Sequence, residues 1–285
     1  MSYQPLSYKE MIEALLCNAS VQSSAKLSHL LGVSRNSIVN WRQNDNNINE
    51  ENRASIDFWY CKLIGIHQYA EWEITSVLLP DNFFYEPDIK KSVIKRLGFG
   101  SLEIEVNVKE SNFDRVTENN IPHDLNTQAV LEITGINAAM YKMMADIENE
   151  GQLFTIDSRR IREWHTSLMQ GIRKDAGYYS KNIRIIPGSD ISTTAPEDIK
   201  DEIEYWVSKY SHVKTIEDIA QAHAHFEAIH PFGDGNGRVG RLIMVAQCLK
   251  TGLMPPEINS GNKSMYYATL EHAQLKNNQP LVAFL

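Results

Sequence analysis

Cysteine is scarce in this chain. Cys17, Cys61 and Cys248 are odd in number and far apart among the 285 residues. They fit neither a disulfide framework nor a zinc-binding set, and reduced thiols in a cytosolic protein are the expectation. No run approaches the roughly 20 apolar residues of a membrane span. The N-terminus also lacks the basic-then-apolar layout of a signal peptide, so no membrane contact is expected. Positive charge is not in excess: 28 Lys and Arg stand against 36 Asp and Glu, a net of −8. Nothing therefore draws the whole chain towards nucleic acid or an acidic membrane. Repeats, charge blocks and low-complexity tracts are missing as well. What remains is an ordinary globular composition, long enough for one substantial core plus a small module.

Against that background residues 230 to 241 stand out: His-Pro-Phe-Gly-Asp-Gly-Asn-Gly-Arg-Val-Gly-Arg. His230 precedes Pro231, which pushes it out of the helical region, so a helix ending near Ile229 is expected. That helix begins near Thr215, which forms a capping-box-like pair with Asp218, and it carries Ile219, Ala222, Phe226 and Ile229 on one face. A second helix follows the glycines, with Leu242, Ile243, Ala246 and Leu249 on one face and Gly252 as its stop. The segment thus reads as a loop feeding a helix N-terminus, where free N–H groups suit anions. Gly235 and Gly237 let the backbone curl into a nest. Arg238 and Arg241 project from one side, and their guanidinium forks match phosphate oxygens. Asn236 can donate from its amide to a phosphate oxygen. Asp234 supplies the single carboxylate that Mg²⁺ commonly needs beside phosphates. His230 has the pKa range of a general base, and Phe232 reads as an apolar anchor. The chemistry these parts imply is attack of a hydroxyl on a nucleotide phosphate, with His230 taking the proton.

The segment matches, position by position, the Fic family motif His-x-Phe-x-(Asp/Glu)-Gly-Asn-Gly-Arg-x-x-Arg, and the resemblance extends well beyond it. Ile133 to Met140, with Gly135, looks like the family's first core helix. Ile161 to Leu168, with Trp164-His165, is similar to the helix that usually carries a Leu-His pair. His223 reads as a buried structural histidine, and Tyr266-Tyr267 before Leu270 resembles a late Tyr-Tyr helix. The resemblance implies a mainly α, Fic-type helical domain over residues 92 to 285 with a small β-hairpin flap. It also implies transfer of AMP from ATP, with Mg²⁺, to a hydroxyl side chain of a target protein, auto-modification included. His230 would be the base and Asp234 the metal ligand, while Gly235, Asn236, Gly237, Arg238 and Arg241 would hold the phosphates. At the flap the chain reads Gly177-Tyr178-Tyr179-Ser180, without the arginine common in the family. Tyr179, Lys181 and Arg184 are the expected target-docking residues, on a strand over Ile183 to Ile186 that closes at Pro187-Gly188.

Many relatives carry an inhibitory helix with Ser/Thr-x-x-x-Glu-(Gly/Asn). Ser101 to Asn107 resembles it, with Ser101 and Glu105 in place and Val106 departing from the usual residue. The resemblance implies an inhibitory helix over about residues 92 to 107 whose Glu105 occupies the second arginine of the motif. A Glu–Arg pair there consumes the guanidinium that would otherwise clamp phosphate. Such brakes are often tied to homodimers in relatives.

The front of the chain suggests a second module, residues 1 to 79, joined through a linker over 80 to 91. Ala25 to Leu31 forms one helix, Gly32-Val33-Ser34 a turn, and Arg35 to Arg42 a second helix with Ser34 as N-cap and Ile38 and Trp41 inward. This pattern is similar to helix-turn-helix domains of bacterial repressors, and residues 20 to 42 would place Arg35, Asn36, Asn40 and Arg42 on DNA. Residues 1 to 79 carry six Lys and Arg against eight Asp and Glu, however, where DNA binding favours a basic face. A small helical module that packs on the core or on a partner fits the same residues. A loop is expected over 45 to 52, and helix from about Arg53 through Leu78. Two other readings of the whole chain stay open: removal of AMP from a modified protein, with Glu105 activating water, and a DNA-binding regulator whose nucleotide site is a sensor.

Overall fold

The computed structural model describes residues 6–66, 77–186, 189, 191–275 and 277–285. The N-terminal module is four helices: α1 (Tyr8–Cys17), α2 (Ser24–Leu31), α3 (Arg35–Gln43) and α4 (Glu50–Tyr60). Each begins on a side-chain cap. Ser7 and Glu10 form a capping box, and Ser23, Ser34 and Asn49 each accept a backbone N–H. Gly32 ends α2 in the left-handed conformation at φ 67°, which glycine adopts without strain. Ile12, Leu15, Leu27, Ile38 and Ile56 are fully buried and form a core of their own.

Two local expectations change here. The Asn-rich stretch 45–52 is not all loop: Asn44 and Asn49 turn their side chains back onto the backbone N–H groups of Asn46 and Asn52. Those bonds start a 3₁₀ turn over Asp45–Asn47 and then α4, three residues ahead of the Arg53 expected. Beyond Tyr60 the chain widens into a π-helical turn over Cys61–Gly65. Residues 67–76 of the expected helix lie outside the described residues, and Leu78 is no longer helical but bridges antiparallel to Leu253.

The second body is built from α5 (Pro87–Glu103), α6 (Glu110–Thr117), α7 (Thr127–Glu150), α8 (Ser158–Met169), α9 (Ile199–Tyr210), α10 (Ile216–Ile229), α11 (Asn236–Thr251), α12 (Lys263–Gln274) and α13 (Gln279–Phe284). The stretch expected as a linker is partly structural. Phe83 is fully buried in this body's core, and α5 starts inside the stretch, with Pro87 in its first turn, where the missing N–H costs nothing. α11 runs through the middle: every residue from Arg238 to Leu249 is buried, as expected of a helix covered on all sides. α7, α8 and α10 pack around it. The two bodies meet where α4 and the π-turn pack on α12, with Cys61 and Ile66 against Met265 and Ala268.

Among the described residues there is no sheet, and no helix is long and apolar enough to cross a membrane. The expected flap is reduced to one isolated antiparallel bridge, Ile185 to Ser192. Its closing turn at Pro187-Gly188 lies outside the described residues.

Candidate functional site

The loop between α10 and α11 is fixed from several directions. α10 starts on the Thr215–Asp218 capping box and ends at His230, a non-glycine residue in the left-handed conformation at φ 52°. Arg184 holds that turn. Its Nε donates to the His230 carbonyl at 2.7 Å, and its Nη2 donates to the carbonyls of Ile229 and Thr194. A buried guanidinium thus satisfies the carbonyls that a helix end leaves orphaned. Arg184 was expected on the docking face of the flap; the structure places it inside, because those carbonyls need a donor. Tyr179 also turns inward, with its ring 5.6 Å from that of Phe232. Lys181 alone of the three is exposed, but all three line one cavity of about 460 Å³ with Asn182, Ile183 and Gly233.

Phe232 is fully buried, and the His165 ring stacks on it at 3.7 Å. The Gly177 N–H donates to His165 Nδ1 at 2.8 Å, so the proton sits on Nε2, which donates to the Asp234 carbonyl at 3.0 Å. Burial pulls the pKa of His165 down to about 4, which keeps this bridge neutral. The sequence showed His165 only through resemblance; its task is to clamp the loop. His223 is likewise a buried structural group: its Nδ1 donates to the Gly240 carbonyl and its Nε2 accepts from the Tyr266 hydroxyl at 2.8 Å.

Asn236 lines the cavity described below and has a task in the loop that the sequence did not show. Its amide donates to the Phe232 carbonyl at 2.9 Å and its Oδ1 accepts the Phe232 N–H at 2.8 Å, so it closes the loop on itself. Asn236→Ala should therefore lower stability by about 2–4 kcal/mol with no ligand present, since two buried backbone groups lose their partner. Urea unfolding of the free protein checks this; an unchanged midpoint would return Asn236 to ligand binding alone. Gly235 opens α11 at φ 74°, where a Cβ would stand 2.8 Å from Met169 Sδ. A Cβ on Gly237 would stand 2.5 Å from Glu105 Oε1. Close approach requires glycine at both positions, and the left-handed turn requires it at Gly235 as well, whereas Gly237 is already helical.

The charges meet at the start of α11. Arg241 Nε donates to Ser101 Oγ and its Nη2 to the Ser101 carbonyl, both at 2.9 Å, and the same guanidinium is paired with Glu105. Glu105 also reaches Arg238, Oε2 to Nε 3.0 Å. Arg238 is paired in addition with Glu132 of α7 and lies 3.7 Å from Asp234. Burial pulls Arg241 towards neutrality, but the Glu105 carboxylate together with Tyr266 and Tyr267 more than offsets it and holds the guanidinium charged. Glu105 and Ser101 thus sit where the resemblance implied. The carboxylate spans both arginines and not the second alone.

His230, Asp234, Gly235, Gly237, Arg241 and Glu105 line one cavity of about 750 Å³, whereas Arg238 is drawn behind its wall by Glu132. Ile185 and Ile186 border it from the flap side. His230 Nδ1 donates to the Glu227 carbonyl at 3.3 Å, which leaves Nε2 as the accepting nitrogen. Burial lowers the pKa of His230, so the ring is neutral at physiological pH, as a base must be. The Asp234 side chain is half exposed, with Oδ1 accepting the Gly235 N–H at 2.7 Å.

Two acids on this site were not read from the sequence. Glu132 stands beside Ala129, Ile133 and Ile136 on a buried helix face, and an acid in such a stripe signals a buried guanidinium. Glu227 is buried on α10; its Oε1 has no hydrogen-bond partner among the described residues. Burial pushes its pKa up to about 7; Arg241 opposes and Glu105 adds to the shift. A carboxyl raised above its unfolded value stabilises the fold at low pH and loses that contribution as pH rises through 7. Glu227→Gln should therefore gain about 2 kcal/mol over the parent at pH 8 and lose that advantage by pH 5. Urea titrations at the two pH values check this; equal differences at both would mean that Glu227 is already ionised in the folded protein.

The expected DNA-facing residues are elsewhere. Arg35, Asn36, Asn40 and Arg42 are exposed on α3, and Arg42 is tied to Glu13 at 2.7 Å. None lines the cavity.

Comparison with known proteins places this geometry. The family model described as the Fic/DOC family matches residues 155–248, which covers the loop, α10 and most of α11. A protein adenylyltransferase Fic of Aedes aegypti is 28% identical over 159 residues, 54% of this chain and 31% of that protein. One of Nematostella vectensis is 29% identical over 160 residues, 54% of this chain and 36% of that protein. The chain thus spans about a third of the length of these relatives. Fic-1 from C. elegans shares the fold, with a TM-score of 0.62 at 19% identity over 97% of this chain and 79% of that one.

Proposed function

This chain carries a Fic domain, and from that premise we propose that it transfers AMP from ATP to a hydroxyl side chain of a protein and is held inactive at rest by Glu105. One observation carries the reading: a carboxylate from the end of α5 is lodged against both arginines at the N-terminus of α11, in the cavity that holds His230. A phosphate-receiving guanidinium, that of Arg241, filled by an internal acid is a resting state.

In the reaction the protein hydroxyl attacks the α-phosphorus of ATP. His230 Nε2 takes the hydroxyl proton, the new O–P bond forms, and the bond to the bridging oxygen breaks to release pyrophosphate. The α11 N–H groups and Arg241, once freed from Glu105, hold the phosphates and stabilise their charge. Among the described residues no three His, Cys, Asp or Glu side chains gather to hold a metal. The half-exposed carboxylate of Asp234 still fits Mg²⁺ held mainly by phosphates, since one acid is enough for that. Bound there, the ion would neutralise charge on the pyrophosphate leaving group.

The test is transfer of label to protein from ATP labelled at the α- or the γ-phosphate, using the parent and Glu105→Gly. Label from the α position alone is the expected result. Label from the γ position would make the chain a kinase. No transfer from either, with ATP bound, would favour removal of AMP or a sensing site.

A further inference from the structure

The cavity does not end at the phosphates. From His230 and Gly237 it runs to one face of α12, where Tyr267, Leu270 and Gln274 follow at helical spacing, and there it meets Phe58 of α4. Its two ends differ in chemistry. The α11 end carries glycines, a histidine and a guanidinium with the carboxylates around it, while the α12 end carries Tyr266, Tyr267 and Leu270 with Glu271 and Gln274 at its edge. Its volume, about 750 Å³, is that of a small-molecule site. A nucleotide with its phosphates at α11 must put its base towards α12.

Phe58 comes from the N-terminal module, and the join between the bodies holds it in place. Its ring stands edge-on to Trp59 at 5.5 Å, and the Trp59 indole N–H donates to the Leu30 carbonyl at 3.0 Å. Lys62, one turn further on, lies 5.5 Å over the Phe58 ring and is ion-paired with Glu271 of α12 at 2.7 Å. The π-turn at Cys61–Gly65, which follows directly, seats Cys61 on α12. Turns of that kind recur at functional sites. The aromatic face is therefore fixed before any ligand arrives, which limits the ordering cost of binding.

We propose that Phe58 is the aromatic wall for the nucleobase, so that the N-terminal module completes the nucleotide site of the Fic domain and sets its preference for a base-bearing ligand. This rests on the nucleotide reading above.

The test is calorimetric titration of the full chain with ATP and with inorganic tripolyphosphate, which keeps the phosphates and lacks the base. The parent should bind ATP more tightly than tripolyphosphate. Phe58→Ala and Phe58→Leu should weaken ATP binding by about tenfold or more, as loss of one base–aromatic stack does, and leave tripolyphosphate unchanged. Phe58→Trp should keep ATP affinity and show a fluorescence change with ATP, absent with tripolyphosphate, that the parent lacks. It decides the matter if the smaller variants fail to fold. Equal weakening of both ligands, or an unchanged ATP affinity in Phe58→Leu, would overturn the role of Phe58 while leaving the nucleotide reading intact. Binding of neither ligand by the folded Glu105→Gly protein, in which the arginine is free, would remove the nucleotide reading and this inference with it.

Discussion

Glu105→Gly is expected to raise transfer of AMP by about two to three orders of magnitude, the range associated with one preorganised charge-stabilising donor. In the parent, the carboxylate occupies Arg241 and reaches Arg238. Phosphates entering the cavity must either displace it or sit beside a third negative charge. Removing it frees the Arg241 fork for the triphosphate. The same substitution should cost about 3 kcal/mol of stability, because it leaves two buried guanidiniums with one fewer counter-charge. Ser101 and Glu132 remain to hold them in part. Activity and stability thus move in opposite directions, which distinguishes this account from simple loosening of α5. Initial rates with α-labelled ATP and melting curves on the same preparations check both. A variant no faster than the parent would show that Glu105 is only a structural partner of the arginines.

His230→Ala, placed in the Glu105→Gly background, is expected to lower the rate by about 10²–10⁴-fold, the usual worth of a general base. ATP affinity should change little, since His230 contributes a proton acceptor and not a phosphate ligand. The base is poised by geometry: the Glu227 carbonyl takes the Nδ1 proton, and burial keeps the ring neutral. The rate in the Glu105→Gly protein should therefore stay level on acidification to below the usual histidine range, and fall only once His230 is protonated. A kcat within a few-fold of the background variant would remove His230 from the proton transfer.

The loop and its flanking helices were legible in the sequence because each boundary has a local cause. Thr215 with Asp218 starts α10, His230 before Pro231 stops it, and Gly252 stops α11. The contact between Ser101 to Glu105 and Arg241 spans about half the chain, and only a family resemblance could point to it. What the sequence hid is how one side chain is divided between competing partners. An asparagine in a glycine loop can serve a ligand or the loop, and the loop's claim comes from the buried backbone groups of Phe232, which have no other partner among the described residues. Arg184 is decided in the same way, by carbonyls at the end of α10. Glu132 and Phe58 enter the site only when distant elements dock, and no local periodicity reports that. The flap strand is not shown: a strand needs a ladder of partners, and among the described residues the segment over Ile183 to Ile186 has one bridge, at Ile185.

Arg238 and Arg241 both belong to the charge balance of the interior, and on the proposed reading Arg241, which lines the cavity, also receives phosphate. Descendants of this chain can therefore hardly retune the chemistry without disturbing the fold, and drift at those two positions is closed to them. Glu105 is under no such bond. It sits just past the end of a helix with a quarter of its side chain in solvent, and when it changes Ser101 and Glu132 stay behind to hold the two arginines. On the proposed reading selection can loosen or tighten control at that one position while the catalytic apparatus stays as it is, so regulation is free to diversify faster than mechanism.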